Sequence, residues 1–354
     1  MYRTLSVCLL LLLMMASSVF AQDTIEVANT TPVIPPSYQL NGIEHIYQTW
    51  NNCGPASVTM ALSYFGYNED QSVAASWLKP NSEDKNVSPW QIEAYVNTIV
   101  PGTTRALVRR GGDMELLKLL LSQNFPVMVE AGYDPPQDTQ GWMGHYLTLY
   151  AYDDGRGVFV ANDSFNGPHY AYEYDYFDSF WRHFNRLYIV LYPFAREQEL
   201  LTLLGDNADE QLNWQHALDT ARAEATANEQ DPFAWFNLGT NFVGLGDYAS
   251  AAVAYDQARN VGGGLPFRML WYQFGPFEAY FNVGRYQDMI TLAQALLNDG
   301  GGQFVEETFY YGGLARAAMG ETERARSNFQ QAIFFNPNFT PARDALALLD
   351  NSQG

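Results

Sequence analysis

Among the side chains able to do chemistry, one cysteine stands apart. The chain has 2 cysteines and 5 histidines. Cys8 lies inside an apolar run and lacks the small-residue context of a lipid-modified cysteine, so it is given no role. Cys53 sits in HIYQTWNNCGPASVTMALSYFGY, residues 45–67, followed at once by Gly54 and Pro55. Val58, Ala61, Leu62 and Phe65 then recur at helical spacing, and Gly66 ends the run. Gly54 suits a helix cap and Pro55 the first helical position, which predicts Cys53 at the mouth of a helix N-terminus. The helix dipole and free N–H groups there favour an anion and lower a thiol pKa. A thiolate so placed is a nucleophile, which needs a base and a donor for the oxyanion. Gln48, shortly before Cys53, offers a side-chain amide as that donor.

For the base the choices are His45, His145, His169, His183 and His216. His145 opens HYLTLYAYDD, which reads as a strand; Gly155-Arg156-Gly157 is a turn, and VFVAND is a second strand ending at Asp163. A hairpin brings such strand ends side by side, so Asp163 is expected to orient the His145 ring. His169, in NGPHYAY, is the reserve base. His45 precedes the helix, while His183 and His216 read as surface or packing residues. Each has a plainer alternative: Cys53 as a small buried thiol, His145 as a core histidine, Asp163 as a turn residue. Trp50 and Trp142 flank the motifs and suit a cleft wall or the core equally. No pair of histidines or carboxylates has metal-ligand spacing on one element, so neither a catalytic metal nor a cofactor is expected.

The elements around these residues read as α+β. SVAASWLK, SPWQIEAYVNTIV and DMELLKLLLSQ are predicted helices, with Ser88-Pro89 and Asp113 as starts, and FPVMVEAGY a strand. Helices first and strands later predict a helical lobe carrying Cys53, a sheet lobe carrying His145, and a substrate cleft between them.

Three motifs in order carry a resemblance: Q-x4-C-G-P-A-S, then GHYLTLYAYD, then VFVANDS. Together they resemble papain-like cysteine peptidases of the bacteriocin-processing, double-glycine leader type, and more narrowly the stand-alone exported relatives. YEYDYFDSFWRHFNRLYIVLYP is similar to that family's closing aromatic helix and last strand, so the resemblance spans roughly Tyr38 to Pro193. It implies Cys53 as nucleophile, His145 as base, Asp163 as orienter and Gln48 as oxyanion residue. The family often has proline after the aspartate, where this chain has Ser164. No transporter is fused to the domain, so cleavage of double-glycine leaders does not follow.

The rest of the chain bounds the setting. Arg3, an apolar run from Leu5 to Met15, and small residues at Val19 and Ala21 have the layout of a secretory signal peptide cut after Ala21. Secretion, or another extracytoplasmic location, is expected, with no stable membrane anchor. Acidic residues number 39 against 19 basic, a net charge of -20, which argues against a nucleic-acid partner. After Pro193 the strand runs stop. Trp235, Leu238, Gly239, Phe242, Ala251, Tyr255 and Ala258 match the spacing of a tetratricopeptide repeat. Gly246 marks the turn of that copy; a weaker second copy has Gly284 at its turn, and a third carries Gly320. Such arrays bind proteins on a concave face; packing on the peptidase or dimerising is the plainer alternative.

The expected organisation is a signal peptide over 1–21, a papain-like domain over 22–195 able to fold alone, and an all-α tetratricopeptide-repeat solenoid over 196–354. The expected function is hydrolysis of peptide bonds in a peptide or protein substrate, with a protein partner on the repeats. Acyl transfer through the same residues and an inactive peptide-binding module are the alternatives.

Overall fold

The protein is described here from a computed structural model covering residues 32–134 and 141–351. The expected signal peptide and its cleavage point lie outside the described residues. No helix among the described residues is long and apolar enough to cross a membrane.

One 7-stranded sheet organises the N-terminal region. Its strands are β1 (Ser37–Gln39), β2 (Thr104–Arg109), β3 (Val127–Tyr133), β4 (Met143–Asp153), β5 (Val158–Asp163), β6 (Gly167–Glu173) and β7 (Tyr188–Pro193). They run in the order β2-β7-β3-β4-β5-β6, with β1 also on β4, and every pairing is antiparallel. The helices are α1 (Cys53–Ser63), α2 (Gln71–Leu78), α3 (Pro89–Thr98), α4 (Met114–Ser122) and α5 (Tyr174–Trp181). Asp113 caps α4 by accepting from the Leu116 N–H at 2.7 Å. Ser88 and Gln91 form a capping box at the start of α3.

Both faces of the sheet are covered, which explains why β3 is buried along its whole length. Met128, Ile189 and Leu191 pack with α1, α2 and α3, while Val127, Val129 and Val190 pack with α4 and α5. The expected order of helices first and strands later needs correcting. β2 falls between α3 and α4 and pairs with the last strand, β7. β6 is formed by the segment around His169, for which no strand was expected; five of its seven residues are exposed, so no alternation marked it.

Beyond β7 the chain is helical: α6 (Glu197–Leu204), α7 (Glu210–Ala227), α8 (Pro232–Gly244), α9 (Tyr248–Asn260), α10 (Gly275–Asn282), α11 (Tyr286–Asn298), α12 (Glu306–Ala318), α13 (Thr322–Phe335) and α14 (Thr340–Asn351). α8 with α9, α10 with α11 and α12 with α13 are consecutive helix pairs. Gly246, Gly284 and Gly320 at their turns have φ of 77°, 76° and 78°, where a side chain would be strained.

From Ile34 onward the described chain forms one compact unit. Arg109 donates to the carbonyls of Asn207 and Ala208 at 2.7 and 2.6 Å. Asn185 donates to Asn241 at 2.6 Å, and Arg182 pairs with Asp231. Tyr272 lies so close over Gly144 that a Cβ there would meet its ring at 3.0 Å. One apolar core runs from Val58 and Tyr146 through Tyr272 and Phe277 to Ala315.

Candidate active site

Cys53 is the first residue of α1, and Pro55 stands third rather than first as the sequence suggested. First-turn N–H groups have no helical partner in any case, so proline is tolerated at the third place as well. The thiol is half-buried and free, and Cys53 is the one cysteine among the described residues. Behind it, α1 is bolted to β4: Ser57 Oγ donates to the Tyr146 carbonyl at 3.0 Å, and Thr148 Oγ1 donates to the Ser57 carbonyl at 3.0 Å. The helix that carries the cysteine therefore sits directly on the strand that carries His145.

The hairpin does what its sequence predicts. Thr148 pairs with Asn162 across β4 and β5, so one step on, Asp163 lies diagonal to His145 on the same face. His145 Nε2 and Asp163 Oδ1 are 2.9 Å apart. That bond occupies Nε2 and leaves Nδ1 for the thiol.

Asp163 is fully buried and is held on every side. Oδ1 accepts from the backbone N–H groups of Phe165 at 2.7 Å and Asn166 at 3.0 Å. Oδ2 accepts from Asn166 Nδ2 at 2.7 Å and from the Tyr172 hydroxyl. Asn166 and Tyr172 belong to this site and were not singled out in the sequence. Tyr172 comes from β6, and only strand pairing brings it there.

The charges reinforce one another. Burial raises the Asp163 carboxyl, but the charge and hydrogen bond of His145, with the Tyr172 and Asn166 donors, outweigh it and hold it well below the carboxylate range. Burial depresses His145, and Asp163 together with Cys53 lifts it to about 10. Burial pushes the Cys53 thiol up, and the hydrogen bond and charge of His145, with backbone N–H groups of Tyr146 and Gly54, bring it below its ordinary value. Each shift favours the charged form of its group, thiolate for Cys53 and imidazolium for His145.

Gln48 lies in the segment leading to α1, strapped to the end of β5. Its backbone N–H donates to the Ser164 carbonyl at 2.8 Å, and Ser164 Oγ donates to its Oε1 at 2.8 Å. With Oε1 fixed, Nε2 is left as a donor. Ser164 thus orients the amide. Asn52, just before the cysteine, is held by Lys79, whose Nζ donates to its Oδ1 at 3.2 Å.

The remaining candidates make other contacts. His169 pairs with the Tyr150 hydroxyl, and His45 Nε2 contacts the Asp163 carbonyl at 2.9 Å. His183 accepts from Trp142 Nε1 at 3.0 Å and stacks on Phe233; burial and the neighbouring Arg182 depress it to about 3. Trp142 is a core residue stacked on Phe184, whereas Trp50 is 66% exposed. His216 packs near Asn207. Among the described residues no group of three or more His, Cys, Asp or Glu could hold a metal ion.

No curated protein matches this chain. Among solved structures, a C39-like peptidase from Bacillus anthracis is 15% identical, with 44% of this chain and 97% of that chain covered and a TM-score of 0.36. The MamA RS-1 ArsTM double mutant is 16% identical, with 44% and 95% covered and a TM-score of 0.32. Residues 33–189, the stretch that holds Gln48, Cys53, His145 and Asp163, match the model of the Peptidase_C39 like family.

Proposed function

We propose that this protein is an exported cysteine peptidase. The observation that carries the reading is the run of contacts from the Cys53 thiol through the His145 ring to the buried Asp163 carboxylate. In the reaction, the Cys53 thiolate attacks the scissile carbonyl carbon and a C–S bond forms. The negative charge moves to the carbonyl oxygen, where Gln48 Nε2 and the Cys53 N–H donate to it. As the C–N bond breaks, His145 passes its Nδ1 proton to the leaving amine. Neutral His145 then takes a proton from water, whose oxygen displaces the thiolate and releases the acid. Asp163 keeps the ring oriented and stabilises its charged form.

The helix pairs after Ala195 fit tetratricopeptide repeats by their turn spacing, and we assign them to binding a protein partner. Export rests on the signal-peptide layout of residues 1–21. The test is an electrophilic peptide probe, with the labelled residue located by mass spectrometry. Labelling at Cys53 that is lost in His145→Ala, with cleavage of a peptide library by wild type, is the expected result. Release of amine adducts in place of acids makes the protein an acyl transferase. An unreactive Cys53 and no cleavage leave a peptide-binding module.

A further inference from the structure

The first helices of the pairs do not face open solvent throughout. α8, α10 and α12 contribute Thr240, Glu278 and Tyr311 to one wall of a chamber of about 740 Å³. The opposite wall comes from the N-terminal region, with Glu130 on β3 and Arg110 just after β2. Glu130 and Tyr272 also line the small pocket that holds Cys53, so the chamber adjoins the thiol. Its size is that of a ligand site, with room for a side chain and the backbone around it.

The chemistry of the lining is acidic and aromatic. Four carboxyl groups, Glu130, Glu210, Glu278 and Glu307, share it with one basic side chain, Arg110. Arg110 lies over Trp214, 4.3 Å from the ring centroid, so the chamber already holds one guanidinium on an aromatic face. Burial keeps Glu130 and Glu278 above the ordinary carboxylate range, and a cation brought between them would favour their ionised forms. Glu278 accepts from the Tyr311 hydroxyl at 2.9 Å and keeps accessible surface, which the chamber supplies.

We propose that this chamber takes a lysine or arginine side chain of the peptide that Cys53 cleaves, with Glu130 and Glu278 as its carboxylate acceptors and the aromatic wall as its cation–π surface. The inference rests on the peptidase reading above. The helix pairs then form part of the substrate cleft, and the residue they select lies close to the scissile bond.

The test uses the full chain carrying Cys53→Ala, so that binding is read without turnover. Three fluorescent peptides identical except for one lysine, norleucine or glutamate are titrated by anisotropy. The lysine peptide is expected to bind about tenfold tighter than the norleucine peptide, the scale of a hydrogen bond to a charged group. In Glu278→Gln, which keeps the acceptor for Tyr311, that ratio is expected to fall toward one. Equal affinity for lysine and norleucine peptides, or preference for glutamate, overturns the proposal, and neither result depends on the variant folding. A lysine preference that Glu278→Gln leaves intact also overturns it. Cleavage by wild type without basic preference rejects the chamber and keeps the peptidase; lysine-selective binding without any cleavage does the reverse.

Discussion

At the scale of single residues, the site depends on two opposite pKa shifts. The thiol is lowered and the imidazole raised to about 10 by the same contact and by Asp163 behind it. The reactive ion pair therefore fills as pH rises through the thiol pKa and empties as pH rises through about 10, when the ring loses its proton. Iodoacetamide alkylation of wild type is expected to rise at a lower pH than that of a free thiol. In His145→Ala the midpoint is expected to move up toward the free-thiol value of ~8.5. Coincident wild-type and variant profiles would show that the two groups do not form a pair. The residues that support this pair are less conspicuous. Asn166 and Tyr172 give Asp163 donors on its second oxygen, so the carboxylate stays ionised while fully buried.

At the scale of elements, two attachments fix where Cys53 and Gln48 lie. Ser57 and Thr148 lock α1 to β4. The segment before α1 is laced to the end of β5 by Ser164, and also by Asn162 Nδ2, which donates to the Ile43 carbonyl at 3.3 Å. Ser164→Ala removes the hydroxyl that fixes the Gln48 amide while leaving the backbone bond from Gln48 to residue 164. It is expected to lower kcat by roughly tenfold, less than the ~10²–10³ for loss of an oxyanion donor, with KM nearly unchanged. Ser164→Thr keeps the hydroxyl and is expected to restore the rate. If Ser164 acts through Gln48, adding Ser164→Ala to Gln48→Ala costs nothing more. A further loss in the double variant would assign Ser164 some other role.

At the scale of the whole molecule, a buried acidic cluster joins the two regions. Asn86 Nδ2 and Ser88 Oγ donate to Glu307 Oε1 at 3.2 and 3.0 Å, and Gln91 Nε2 donates to Glu306 Oε1 at 3.2 Å. Asp84 lies in the same cluster, also buried, and Lys79 stands nearby. Burial, then the charge of Glu306, holds the Glu307 and Asp84 carboxyls well above their ordinary range. A carboxyl raised in the folded state binds its proton more tightly there than in the unfolded chain. Its contribution is complete below the unfolded pKa and is lost as pH rises toward the folded pKa. Glu307→Gln mimics the protonated acid and keeps an acceptor for Ser88. It is expected to raise Tm at pH 8 by roughly 2–4 °C for each ~1 kcal/mol recovered, and to change little at pH 4. An equal shift at both pH values would exclude a titrating Glu307 as the source. The pH dependence of Asp163 has the opposite sign, because its pKa is lowered, so the comparison with wild type at each pH is the informative one.

Local order along the chain was enough to bring Cys53, His145, Asp163 and Gln48 forward as candidates, and to read the hairpin that carries two of them and the helices around them. Cysteine at a helix start and histidine at a strand start are local features, written in residue type and spacing. The edge strand β2 and the strand β6 escaped because a short strand declares itself only through its partner, which is distant in sequence. Tyr172, Asn166 and Ser164 were illegible for a related reason: each acts through a hydrogen bond that strand pairing or loop closure creates. The change of texture after Pro193 was plain in the sequence, since strand periodicity stops there. That the helices after it share a core with α1 and β4 and wall a chamber beside Cys53 was decided by tertiary packing. Apolar periodicity tells which face of a helix is covered, but what covers it depends on shape and polar matches between segments far apart, such as Glu307 with Ser88.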